Sequence, residues 1–90
     1  MTAYTVISHP VKDFGAWKAV FDKYESLRKE GGELSAVVLQ HSDDLKMVTV
    51  INTWDSVEVA QTFLGQLKVG GAMEESGITA PPTIIFANEA

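Results

Sequence analysis

The chain of 90 residues has no cysteine, which excludes disulfides, thiolate metal sites and a cysteine nucleophile together. Basic residues are few: 7 Lys and Arg stand against 12 Asp and Glu, for a net charge of −5. The lysines are scattered singly, at Lys12, Lys18, Lys23, Lys29, Lys46 and Lys68. No cluster reverses the acidic sign, so phosphate backbones are repelled and no nucleic-acid partner is expected. No apolar run approaches the length that spans a bilayer, so no membrane partner is expected either. The opening "MTAYTVISHP" lacks the basic start and long apolar core of a signal peptide. The expected location is a reducing cytoplasm. Gly31–Gly32 and Gly70–Gly71 lack phosphate-loop spacing, and no Ser/His/Asp arrangement stands out.

What the chain does have is a 46% hydrophobic content, ordinary for a globular protein and too high for disorder. Its length fits one domain, residues 1–90, that buries roughly 64% of the unfolded surface.

"AYTVISH", Ala3 to His9, is β-branched and aromatic and stops at Pro10, which predicts a first strand. Asp13 then reads as an N-cap. Phe14, Trp17, Phe21, Tyr24 and Arg28 recur at helical spacing, with Val20 and Leu27 widening the stripe. Lys18, Asp22, Glu25 and Lys29 fall mostly off it. Gly31 and Gly32 end this helix. "ELSAVVLQH" (Glu33 to His41) and "KMVTVINTW" (Lys46 to Trp54) flank "SDDL", which predicts a hairpin. Asp55 with Glu58 reads as a capping box opening a second helix, whose apolar face is Val59, Phe63, Leu64 and Leu67. Gly70 and Gly71 interrupt it, and "AMEES", Ala72 to Ser76, adds a short helical turn. Gly77 and Pro81–Pro82 lead into a last strand, "TIIFA", Thr83 to Ala87.

The order β-α-β-β-α-β is the ferredoxin-like α+β arrangement, a four-stranded antiparallel sheet with two helices on one face. Such a sheet needs apolar side chains on its helix-facing side only. Yet "AVVL" and "TIIF" are continuous apolar runs, and Met47 and Ile51 lie opposite Val48 and Val50. Four strands of about six residues present a footprint of about 400 Å², at the limit of what monomers expose. A homodimer built sheet face to sheet face is therefore expected.

The stretches "VKDFGAWKAVFDKYESLRKEGG", "VINTWDSVEVAQTF" and "LKVGGAMEESGITAPPTIIF" resemble the dimeric α+β-barrel superfamily. The similarity covers nearly the whole chain, and the nearest group is the small antibiotic-biosynthesis-monooxygenase-like proteins, many of unknown function. The resemblance rests on the Asp13–Trp17–Phe21 helix opening, the Trp54–Asp55 junction with Glu58 and Ala60, and the Gly77–Pro82 approach to the last strand. It implies a homodimer with a central barrel and a ligand cavity in each subunit between helices and sheet. It also implies activities such as cofactor-independent oxygenation or lactone isomerisation. In several oxygenase branches a histidine lies in the second helix, near the position of Phe63 here. Haem ligation of that type is not expected of this chain, and no cofactor is.

Each candidate residue has two readings. His9, before a proline, is either a base at a cavity mouth or a strand-end histidine bonded to a nearby carbonyl. His41 with Asp43 and Asp44 is a solvated turn rather than a metal site, because hard cations need more ligands than these. Trp17, Phe21, Tyr24, Trp54, Phe63 and Met73 are core, or else the walls of a cavity for an aromatic ligand. The Tyr24 hydroxyl needs a partner if buried. Asn52 shares a strand face with Val48, Val50 and Trp54, so its amide also needs a partner, which a ligand could supply. Asn52, Tyr24 and His9 are thus the candidate catalytic groups. Arg28 near a helix end is expected to stay in solvent. Two functions remain open: an enzyme acting on a small apolar or aromatic molecule, or a non-catalytic dimeric binding module.

Overall fold

Burial alternates along the third strand in strict period two, with Val48, Val50, Asn52 and Trp54 buried and their neighbours half-exposed, and this strand sits inside the sheet. The structure, a computed structural model, describes residues 2–69 and 77–90. Its elements are β1 (Ala3–Pro10), α1 (Phe14–Lys23), α2 (Glu25–Glu30), β2 (Glu33–Gln40), β3 (Met47–Trp54), α3 (Val57–Val69) and β4 (Thr83–Asn88). All neighbours in the sheet are antiparallel, in the order β2-β3-β1-β4. This is the expected ferredoxin-like α+β fold. The turn placed at Ala72 to Ser76, the Gly70–Gly71 interruption and Met73 lie outside the described residues, as does the side chain of Leu67. Among the described residues no helix is long and apolar enough to cross a membrane.

The helix-facing side of the sheet carries two apolar clusters. Ala3, Trp54, Ala60 and Phe63 form one, and Val11, Trp17, Val48 and Val50 form the other. Asp13 caps α1 as expected: its extended backbone aims a carboxylate oxygen that accepts from the Ala16 N–H at 2.8 Å. At α3 the cap is displaced by one residue. Ser56, not Asp55, accepts from the Val59 N–H at 3.2 Å, and its carbonyl takes the Ala60 N–H. Glu58 therefore stands too early in the helix for the expected capping box.

The single first helix expected from the periodicity is two helices. Tyr24 sits between them at φ −94°, ψ 11°, the sparsely populated bridge region. The carbonyl of Phe21, which a continuous helix would pair with residue 25, accepts instead from the Tyr24 N–H at 3.3 Å and from the guanidinium of Arg28. A side-chain donor inserted in the helical ladder is a recognised cause of such a break. In the turn after the break Leu27, expected on the apolar stripe, is exposed, while Arg28, expected in solvent, is buried. The pairs Lys18–Asp22 and Lys29–Glu25 lie on the wet side.

Two glycines let the elements close. Gly32 adopts φ +109° just after α2, a conformation that favours glycine. A Cβ on Gly31 would collide with the ring of Phe63, and one on Gly32 would lie 2.5 Å from Val59 Cγ1. The α2–β2 corner thus packs its bare backbone against α3.

On the other side of the sheet, Val37, Ile51, Val6 and Ile85 stand in one cross-strand row through all four strands. Val37 and Ile85 are exposed, as is Leu39 on the same face. The adjacent row is partly polar, with Ser8 and Thr49 hydroxyls 2.8 Å apart. Across the row on the other side, Ser35 meets Thr53.

Candidate functional site

Between the helices and the sheet lies a cavity of about 480 Å³, within the range of small-molecule sites. The alternation of β1 and β3 decides which side chains reach it. Ile7 and His9 point in from β1, and Val50, Asn52 and Trp54 from β3. Helix α1 adds Trp17, Val20 and Phe21, α3 adds Phe63 and Leu64, and β4 adds Ile84 and Phe86. Tyr24 and Arg28 complete the wall where the first helix breaks. Of the residues expected to form a site, His9, Trp17, Phe21, Tyr24, Asn52, Trp54 and Phe63 all line this one cavity. Met73 is outside the described residues.

The walls are aromatic. Trp17 stacks with Phe21 at a centroid distance of 5.1 Å, and Trp54 lies 5.5 Å from Phe63. The same residues are both: Trp17, Trp54 and Phe63 belong to the two core clusters and also line the cavity.

Asn52 is buried and its amide is held from both sides. The Trp54 indole N–H donates to Thr5 Oγ1 at 3.0 Å, and the Thr5 hydroxyl donates to Asn52 Oδ1 at 3.2 Å. Asn52 Nδ2 donates to Glu33 Oε2 at 2.7 Å, and the same oxygen accepts from Arg28 Nε at 2.9 Å. The direction of every bond in this chain is fixed by the indole, which only donates, and the carboxylate, which only accepts. The amide therefore cannot turn over. An amide has two N–H groups, and Glu33 takes one. The Arg28 guanidinium also lies 3.6 Å from the Phe21 ring centroid, so cation, carboxylate and aromatic face are stacked in one buried group. Each ionic partner balances the other, and this end of the cavity is polar without net charge.

Thr5, Glu33 and Arg28 are the members of this network that sequence reasoning missed. Arg28 was in helical phase with Phe21 and Tyr24, and that phase was the signal. Glu33 reads in sequence as an acid at a strand edge, and only the fold brings it to Asn52.

His9 is also buried, against Trp17 with ring centroids 5.6 Å apart. Burial pushes its imidazole below the usual 6.5, and its Nδ1 has no hydrogen-bond partner among the described residues. Tyr24 is half-buried, and Lys23 Nζ lies 5.4 Å from its ring centroid. At the far hairpin, His41 Nε2 and Thr49 Oγ1 are 2.9 Å apart, and Asp44 Oδ1 accepts from the Lys46 N–H.

Comparison of the sequence with family models and with curated proteins gives no match. Solved structures do match. A Bordetella bronchiseptica protein described as an antibiotic biosynthesis monooxygenase superposes with a TM-score of 0.85 at 12% identity, over 99% of this chain and 97% of that one. SnoaB, a cofactor-independent oxygenase from Streptomyces nogalater, gives 0.77 at 13% identity, over 98% and 92%. The ActVA-Orf6 monooxygenase of Streptomyces coelicolor, solved with nanaomycin D, gives 0.66 at 17%, over 98% and 87%. At these identities the likeness is one of backbone architecture. The chain has the ferredoxin-like α+β fold of the antibiotic-biosynthesis-monooxygenase proteins.

Proposed function

We propose that this protein is a homodimer that binds a small, flat, apolar or aromatic molecule between helices and sheet, and oxygenates it without a cofactor. The observation that carries the reading is the aromatic-walled cavity of about 480 Å³ with one locked amide on its wall. Trp17, Phe21, Trp54 and Phe63 supply flat apolar surfaces for a ring system. Asn52 has a second N–H to donate to a ligand oxygen, and its orientation is set before the ligand arrives. Such a bond favours negative charge on that oxygen, as when an aromatic hydroxyl loses its proton. The oxygenase activity is supported by the fold shared with SnoaB and the ActVA-Orf6 protein. Fold alone does not carry activity, so the chemical step needs its own test.

That test is oxygen uptake with a panel of hydroquinones and related phenols, with Asn52→Ala as the control. Turnover that falls at least tenfold in Asn52→Ala, in a variant with unchanged circular dichroism, supports the oxygenase. Tight binding without oxygen uptake by any of the panel supports the second reading, a non-catalytic binding module in which the same cavity sequesters its ligand. The locked Asn52 favours the first, because a purely apolar sequestering site has no need of an oriented donor.

A further inference from the structure

Two polar side chains that the sheet turns into the cavity, Asn52 and His9, are far apart. Asn52 is opposite Thr5 in the β1–β3 register, whereas His9 is opposite Val48. Four residues of strand separate these two rows, roughly 13 Å at 3.3 Å per residue. Between them the row of the sheet is apolar, Val38, Val50, Ile7 and Ile84, of which the last three line the cavity. Asn52 has its network partners. His9 is 4% exposed, lines the cavity, and holds a buried nitrogen with no partner among the described residues. A buried polar atom without a hydrogen bond is costly and uncommon in native proteins, and the ring that carries it borders the cavity.

We infer that His9 is a second ligand anchor, which takes a hydroxyl at the end of the molecule opposite the oxygen held by Asn52. A neutral imidazole presents one N–H and one lone pair. A hydroxyl can meet either of them, since it both donates and accepts, whereas a carbonyl meets only the N–H. Allowing a hydrogen bond of about 2.8 Å at each end leaves roughly 7–8 Å between the two ligand oxygens. That is the span of a fused two-ring aromatic substituted at opposite ends. The ligand class is therefore an aromatic with an acceptor oxygen at one end and a hydroxyl at the other. The tilted Trp17 ring beside His9 covers the hydroxyl-bearing ring. This inference rests on the cavity being the ligand site and specifies what that site selects.

Three naphthalenes test it by intrinsic tryptophan fluorescence: one with an acetyl group at one end and a hydroxyl at the other, its methyl ether, and the acetyl compound with no second oxygen. The wild-type protein is expected to bind the hydroxyl compound about tenfold more tightly than either of the others. In His9→Phe the three should bind within about twofold of one another. His9→Gln, which keeps a donor and an acceptor, should restore part of the preference. Equal binding of all three by the wild-type protein overturns the role of His9 and leaves the cavity as a ligand site. Binding of none overturns the cavity reading, and this inference with it. The three ligands are compared first on the unmodified protein, so the role of His9 stands or falls there even where a variant does not fold.

Discussion

Glu33 Oε2 accepts at once from Arg28 Nε, at 2.9 Å, and from Asn52 Nδ2, at 2.7 Å. One carboxylate oxygen thereby joins the broken first helix to the central strand and sets the amide that faces the cavity. The side chains of Arg28 and Glu33 are only 10% and 4% exposed, so the pair is a buried one. Removing one partner of a buried pair leaves the other charge uncompensated, at a cost of about 3–5 kcal/mol.

Arg28→Met should accordingly lower the unfolding free energy by about 3–5 kcal/mol in urea titration. Arg28→Met/Glu33→Gln should regain more than about 1 kcal/mol of that loss, since a neutral amide oxygen still accepts from Asn52 and no charge is stranded. A cost under about 1 kcal/mol for the single variant would place the pair among ordinary solvated ones.

Gly31→Ala tests the contact between the α2–β2 corner and α3. The added methyl meets the Phe63 ring, which is itself buried and walls the cavity. Overpacking of this kind costs about 1–3 kcal/mol. The variant should also lose affinity for any cavity ligand, because the ring has to move into the site. Gly65→Ala is the control, as a Cβ there meets nothing within 4 Å. Equal stability of the two variants in urea would show that the corner is not closely packed.

The sheet, its order of elements and the inward direction of Asn52 were legible because strand periodicity is local: alternate residues of "MVTVINTW" face one side whatever they meet there. The aromatic lining was legible for the same reason on α1. The split at Tyr24 was not, because it depends on Arg28 reaching the Phe21 carbonyl, a contact between turns that propensity does not encode. The burial of Glu33 was hidden too. Its partners are five residues back across a glycine corner and nineteen residues ahead on another strand. The cap at Ser56 rather than Asp55 shows a smaller limit, since two adjacent capping residues compete and sequence does not say which one turns inward.

The row Val6, Ile51, Val37 and Ile85 is the centre of the proposed dimer face. Val37 and Ile85 are 52% and 53% exposed in the single chain, and the row crosses every strand without a charge. A two-fold pairing would lay the row against its copy. Val37→Lys puts like charges into that contact and should shift the mass in light scattering from dimer to monomer at micromolar concentration. Its far-ultraviolet circular dichroism should be unchanged, because Val37 is on the face away from the core. A monomeric mass for the unmodified protein under the same conditions rules the dimer out.

Burial of His9 also makes stability depend on pH, with a sign that follows from the direction of its shift. Its folded value lies below the usual 6.5 because burial disfavours the charged ring, and its own backbone opposes this only in part. Above 6.5 the imidazole is neutral in both folded and unfolded chains, so it adds no pH dependence. As pH falls through 6.5 the unfolded chain takes up the proton first, and the folded state loses stability until its own imidazole is protonated. The slope in that window is at most about 1.4 kcal/mol per pH unit for one group. Urea midpoints measured from pH 7.5 to 5.5 should therefore fall more steeply for the wild-type protein than for His9→Phe. The difference between the two profiles isolates this ring from everything else that titrates. Parallel profiles would mean that His9 reaches water, and a ring in water would leave its nitrogen no reason to await a ligand.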